Sequence, residues 1–201
     1  MIEMQLRTQL GINPEHKEEA ARLYAIAFET KFKNILGKPE EVTQLLKEGI
    51  NHQMAISVIS DENELLGIAG FHLDKTSFID LQLKDFVQQY GIVKGLYKSL
   101  LMAILFYRKP DNKGQLLMDG IAVKEGFRGR GIGKNLLTEL EQFAKDKSMS
   151  SIKLDVIDEN PHAKRLYENM GFISIKYRKT PRFIYKLMGV SGVTTMVKYI
   201  G

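Results

Sequence analysis

The sequence predicts an α/β fold in which about seven strands are interleaved with helices. Three observations carry this. Short runs rich in Val, Ile and Leu recur along the chain. Longer stretches with apolar residues on a helical period fall between them. The 201 residues, 44% hydrophobic and 26% charged, have ordinary globular composition and can bury a core without crosslinks. The chain reads as one domain over residues 1–201, with a helical insertion at about 74–113.

Glu3 to Leu10 alternates weakly and reads as the first strand. His16 to Phe32 is helical, with Ala20, Leu23, Ala27 and Phe28 near one face. Pro39 to Leu46 reads as a shorter helix that starts on its proline. Met54 to Ser60 and Leu65 to Leu73 are strand-like, and Asp61 to Asn63 supplies the turn of an antiparallel hairpin. Phe78 to Lys109 is apolar but interrupted at Gly91 and Gly95, and reads as one or two helices. After the loop KPDNKG comes a strand, Gln115 to Val123, whose odd positions Leu117, Asp119, Ile121 and Val123 are expected to share a face. A helix from about Gly131 to Lys147 precedes the strand Ser151 to Ile157. Pro161 to Met170 is a short helix stopped by Gly171, and Phe172 to Arg178 and Thr194 to Ile200 are the last strands.

Composition excludes several chemistries. With no cysteine there is neither a disulfide framework nor a thiolate nucleophile. His16, His52, His72 and His162 show no ligand spacing, so no metal is expected. The most apolar run, Leu100 to Tyr107, falls short of the roughly 20 residues of a membrane span. The first residues do not resemble a signal peptide, so a cytoplasmic location is expected. The net charge of +5 suits an anionic ligand without specifying one.

The stretch GFRGRGIGKNLL, Gly126 to Leu137, stands at a strand-to-helix turn. Glycines there let successive amides point inward, and the following helix starts with unpaired N–H groups. Such a turn is either a phosphate cradle or a basic connection of no further consequence. A P-loop is disfavoured, because Arg128 stands where its first glycine belongs and Asn135 replaces its hydroxyl residue. The dinucleotide fingerprint fails at its third glycine, although Asp155 lies at a suitable distance downstream.

Arg128-Gly129-Arg130-Gly131-Ile132-Gly133 matches the Arg/Gln-x-x-Gly-x-Gly/Ala signature of the GCN5-related N-acetyltransferase (GNAT) superfamily. The later segment ENPHAKRLYENMGF resembles that superfamily's second motif at Asn160, Ala163, Leu166, Tyr167, Gly171 and Phe172. The resemblance is convincing from Leu117 to Phe172. It implies a GNAT-like three-layer fold with a mixed, largely antiparallel central sheet. It implies acetyl-CoA as cofactor and direct acetyl transfer to an amine in a ternary complex. The backbones of Ile121 and Val123 would pair with the pantetheine arm. The amides of Gly129, Arg130, Gly131, Ile132, Gly133 and Lys134 would hold the pyrophosphate, with Arg128 or Arg130 facing it. Asn160 would bond the cofactor arm, and Tyr167 would protonate the leaving thiolate.

The residues admit plainer readings too. Asn160 before Pro161 makes a good helix cap. Tyr167 can be a packed aromatic, and its phenol is also a plausible proton donor to a thiolate. His162 reads as solvated. For the base that deprotonates the amine, Asp119 is the nearest strand carboxylate, or it caps a bend beside Gly120; Glu125 is the other option. Phe86, Tyr90, Tyr97, Phe106 and Tyr107 of the insertion either line the acceptor cleft or complete the core, and a dimer surface is a further use. The acid-free tail with Lys176, Arg178, Lys179, Arg182, Lys186 and Lys198 disfavours polyamines. The acceptor is a small-molecule amine or a peptide or protein amine, with no nucleic acid expected. A noncatalytic acyl-CoA-binding regulator and a basic nucleic-acid binder are the alternatives.

Overall fold

The computed structural model describes residues 5–106 and 108–201. A seven-stranded sheet of order β1-β2-β3-β4-β5-β7-β6 runs through the molecule. Its strands are β1 (Leu6–Leu10), β2 (Ala55–Ser60), β3 (Leu65–His72), β4 (Gln115–Val123), β5 (Ser151–Ile157), β6 (Ile173–Lys179) and β7 (Gly192–Tyr199). Among the described residues only the β4–β5 pair is parallel, so the sheet is mixed and largely antiparallel, as the resemblance implied. The predicted start of the first strand, and Tyr107, lie outside the described residues.

Helices cover both faces. On one side lie α1 (Lys17–Ala27), α2 (Glu29–Phe32), α3 (Pro39–Gly49), α4 (Leu83–Tyr90), α5 (Ile92–Phe106) and α8 (Arg182–Met188). Their core holds Tyr24, Phe32, Leu45, Leu46, Phe78 and Phe86 against Ile59 and Ile68 of the sheet. On the other side lie α6 (Ile132–Asp146) and α7 (Pro161–Asn169). The α6 residues Ile132, Leu136, Leu140 and Ala144 fall at helical spacing and bury against Leu66, Phe71 and Met118.

One predicted element differs, and one helix was not expected. The helix expected over His16–Phe32 breaks at Phe28, where φ is −113° and ψ 19°. The break carries the Phe28 ring under Gly120, where any side chain on β4 would collide with it. Helix α8 was missed, because its basic residues read as a solvated strip. Pro181 at its start and Gly189 in the left-handed conformation just past its end are ordinary helix-boundary signals.

Between β3 and β4, α4 and α5 complete the core, one of the uses considered for the insertion. Phe86 is in the core and α5 packs Leu101, Met102, Leu105 and Phe106 against it. Tyr90 also packs against this core, with the Lys98 ammonium 4.3 Å from its ring centroid.

Candidate active site

The site begins where two neighbouring strands part. β4 and β5 pair only over Gln115–Leu117 and Ser151–Lys153. Beyond that, β7 continues to pair with β5 and β3 with β4, while the facing edges separate. The edge of β4 toward Val123 is thus left with main-chain groups that no neighbouring strand satisfies.

The glycine-rich turn lies at the end of that edge. Gly129 and Gly131 have φ of 77° and 82°, and the direction a side chain would take from each is open. Gly131 is the N-cap of α6, so the amides of the first α6 turn face the same opening. Gly133 has another duty: a side chain there would meet Leu166, so its absence lets α6 and α7 approach. The Arg128 Nε donates to the Val123 carbonyl at 3.3 Å. The Arg130 guanidinium lies over the Phe127 ring, 5.1 Å from its centroid.

The second motif is a helix with both ends defined. The Asn160 carbonyl oxygen accepts from the Ala163 amide at 3.0 Å, and Pro161 follows at the first helical position. The cap reading therefore holds, and it leaves the side-chain NH2 for a ligand. At the other end, Gly171 has φ 84°, its amide donates to Glu168, and the Phe172 amide donates to Tyr167 at 3.0 Å. This pair of bonds is a Schellman stop, and the Phe172–Tyr167 ring contact at 5.9 Å is its usual apolar accompaniment. Tyr167 is 5% exposed. Burial raises its phenol above the usual range, and the Arg108 charge offsets only part of that. The group stays protonated at neutral pH.

Asp119 is not where simple alternation puts it. β3 pairs Gly70 with Gly120 and Phe71 with Met118, so Asp119 is the extra residue of a β-bulge. Leu116, Met118, Ile121 and Val123 thereby face α6, while Gly120 and Ala122 face α1. Asp119 goes with the second set, not with Ile121 and Val123 as the alternation predicted. Its Oδ1 lies 2.5 Å from His72 Nε2 and 3.8 Å from Arg108 Nη1. Arg108 Nε lies 3.4 Å from Asp155 Oδ2, and Thr195 donates to Asp155 Oδ1 at 2.6 Å. Arg108 therefore spans the two carboxylates across the parted strands. Half-buried Lys31 is nearby, its ammonium pushed down to about 8 by loss of water and by the Arg108 charge.

Two cavities meet at this cluster. One, of about 720 Å³, is lined by Ile121, Val123, Arg128, Gly129, Gly131, Ile132, Gly133, Lys134, Asn160, Tyr167 and Asp119. The site residues named from the sequence, apart from Arg130 and the alternative base Glu125, are thus brought to one cleft. The exposed His162 lines it as well, whereas Glu125 lines neither cavity. The other, of about 1220 Å³, lies among α1, α4, α5 and α8 and is mostly apolar. Phe28, Lys31, Asp119, Asp155 and Ile157 line both. Of the insertion aromatics, Phe86, Tyr97 and Phe106 line the larger cavity. Among the described residues, no group of three or more His, Asp or Glu could hold a metal, and no helix is long and apolar enough to cross a membrane.

Sequence reasoning missed Lys31, His72 and Arg108, and weighed Asp155 only as a nucleotide-binding acid. Their partners are remote in the chain, and no local pattern marks them.

Residues 20–172 match the acetyltransferase (GNAT) family, and the chain belongs to that family. Acetyl transfer dependent on acetyl-CoA is the chemistry of this class.

Among curated proteins, the chain is 36% identical to thialysine N-epsilon-acetyltransferase of Bos taurus over 56 residues, 28% of this chain and 33% of that protein. It is 33% identical to spermine/spermidine N(1)-acetyltransferase of Bacillus subtilis over 67 residues, 33% of this chain and 44% of that protein. The matches thus span less than half of these relatives. A GCN5-related N-acetyltransferase from Kribbella flavida superposes with a TM-score of 0.64, at 13% identity, over 96% of this chain and 97% of that one. At that identity the likeness is one of fold.

Proposed function

We propose that the chain transfers an acetyl group from acetyl-CoA to an amine by direct attack in a ternary complex. The observation that carries this is the meeting of two cavities at Asp119, one built on main-chain donors and the other on apolar side chains. The smaller fits the cofactor: the open directions at Gly129 and Gly131 leave room for bulky phosphates against the α6 amides. The free edge of β4 at Ile121 and Val123 offers main-chain groups to an amide-containing arm, and the Asn160 NH2 adds a donor. Bound there, acetyl-CoA supplies an acetyl group activated as a thioester.

The residues at the junction then divide the proton work. An amine arrives protonated and must lose a proton before it attacks. Asp119 Oδ2 is buried and unpartnered among the described residues, and it accepts that ammonium. His72, bonded to the other carboxylate oxygen, carries the proton onward. Tyr167, held neutral by burial, donates from its hydroxyl to the leaving sulfur. Lys31 and Arg108 place positive charge in the same cavity as the Asp119 carboxylate.

Isothermal titration with coenzyme A, followed by thiol-release assays with acetyl-CoA and an amine panel, tests the reading. Stoichiometric binding and amine-dependent thiol release are expected. Folded protein that binds no coenzyme A would overturn it.

A further inference from the structure

The larger cavity has two buried atoms that nothing among the described residues satisfies. Among the described residues, Arg108 Nη2 and Asp119 Oδ2 have no hydrogen-bond partner. They are of opposite charge and belong to adjoining side chains, with Nη1 and Oδ1 3.8 Å apart. The contacts of Arg108 to Asp119 and Asp155, at 3.8 and 3.4 Å, are longer than hydrogen bonds. Leaving such groups without partners is costly, so a ligand that satisfies both gains more than one that satisfies either.

Position orders the two. Asp119 lines both cavities, whereas Arg108 lines only the larger one. A cation held at Asp119 is therefore nearest the cofactor cleft, and an anion held at Arg108 is one step farther in. The surrounding charge favours that anion. Lys31, Arg108, Arg178 and Lys179 line the cavity against Asp119 and Asp155. A second ammonium, as in a polyamine, would enter among these cations. A peptide N-terminus would bring a neutral carbonyl where Arg108 offers a charged fork. Beyond the charged head, Phe86, Leu96, Leu100, Ile104 and Ile184 wall the apolar part of this cavity of about 1220 Å³.

We infer that the acceptor is a free α-amino acid with a bulky apolar side chain, its ammonium on Asp119, its carboxylate on Arg108, and its side chain among α4, α5 and α8. The inference rests on the acetyl-transfer reading for which end reacts, but the binding it asserts can be measured alone. In the transfer, the amine nitrogen forms the bond to the acetyl carbon as the bond to sulfur breaks. The amine gives up its proton by way of Asp119 and His72, and the thiolate receives one from Tyr167.

The test is calorimetric binding of L-phenylalanine, L-leucine and L-tryptophan to the full chain, beside phenethylamine and L-phenylalaninamide, which lack the carboxylate, and beside coenzyme A. L-Phenylalanine is expected to bind at least about tenfold more tightly than either comparator. In Arg108→Lys that preference shrinks to within about threefold, while coenzyme A affinity is unchanged. Comparators that bind as well as L-phenylalanine, or no binding by any of the three amino acids, overturn the inference. The ligand series in the unaltered protein decides this even if the variant fails to fold. Coenzyme A binding without amino-acid binding leaves acetyl transfer standing and removes this acceptor. The reverse result keeps the amino-acid site and removes acetyl transfer.

Discussion

The two cavities are built from different materials. The smaller is formed largely by main chain: a free strand edge, a turn with two left-handed glycines, and the first turn of α6. The larger is formed by side chains from helices and strands scattered through the chain, mostly apolar but with Lys31, Arg108, Asp119 and Asp155 among them. A main-chain site depends on backbone conformation and tolerates side-chain change. A side-chain site can be retuned one substitution at a time. The comparison therefore predicts that cofactor binding breaks through backbone substitutions and acceptor choice through side-chain ones.

Tyr167→Phe removes the one hydroxyl assigned to the leaving sulfur but keeps the packing against Phe172. It should lower kcat by about 10²–10⁴ in a thiol-release assay, with coenzyme A affinity unchanged. A kcat within threefold of the parent would return Tyr167 to a purely packed aromatic. Gly131→Val forces a branched residue into φ 82° at the α6 cap. Coenzyme A should bind about ten- to a hundredfold more weakly by titration, with the circular dichroism spectrum retained. Undiminished affinity would mean that the turn does not hold phosphate. Ile184→Ala on α8 should raise the acceptor KM about fivefold and leave coenzyme A binding alone. If it shifts both equally, the two cavities are not independent.

The smallest effect concerns Lys31 at the junction. Its native pKa of about 8 lies below the ordinary 10.5, so between those values the unfolded chain binds the extra proton. Stability contributed by this group therefore rises with pH across that window, and below pH 8 the native state holds a poorly solvated charge. Lys31→Met should raise the urea midpoint below pH 8, with the difference from the parent shrinking toward pH 10.5. A difference that does not vary with pH would show that Lys31 is better solvated than its surroundings imply.

Legibility followed the same division. The turn and α7 are local, so Gly129 to Gly133, Asn160, Tyr167 and the Gly171-Phe172 stop were readable from short motifs and the family resemblance those motifs carry. Asp119 was readable as a candidate but not in its orientation. The bulge that turns it toward α1 arises from a register against β3, more than forty residues earlier in the chain. His72, Arg108 and Lys31 become neighbours only when β3, the end of the insertion and the first helices converge. The break at Phe28 serves a tertiary need, the close approach to Gly120, which helical periodicity alone cannot show.

The parting of β4 and β5 gives the molecule two doors. Among the described residues, the walls of the two cavities coincide at Phe28, Lys31, Asp119, Asp155 and Ile157. An inhibitor that fills one door leaves the other open, so paired inhibitors from the two sides should act together instead of excluding one another. A single molecule threaded through both, joined at the Asp119 narrows, converts its second docking event into an intramolecular one. Its affinity would then exceed that of either half by far more than any new contact could supply.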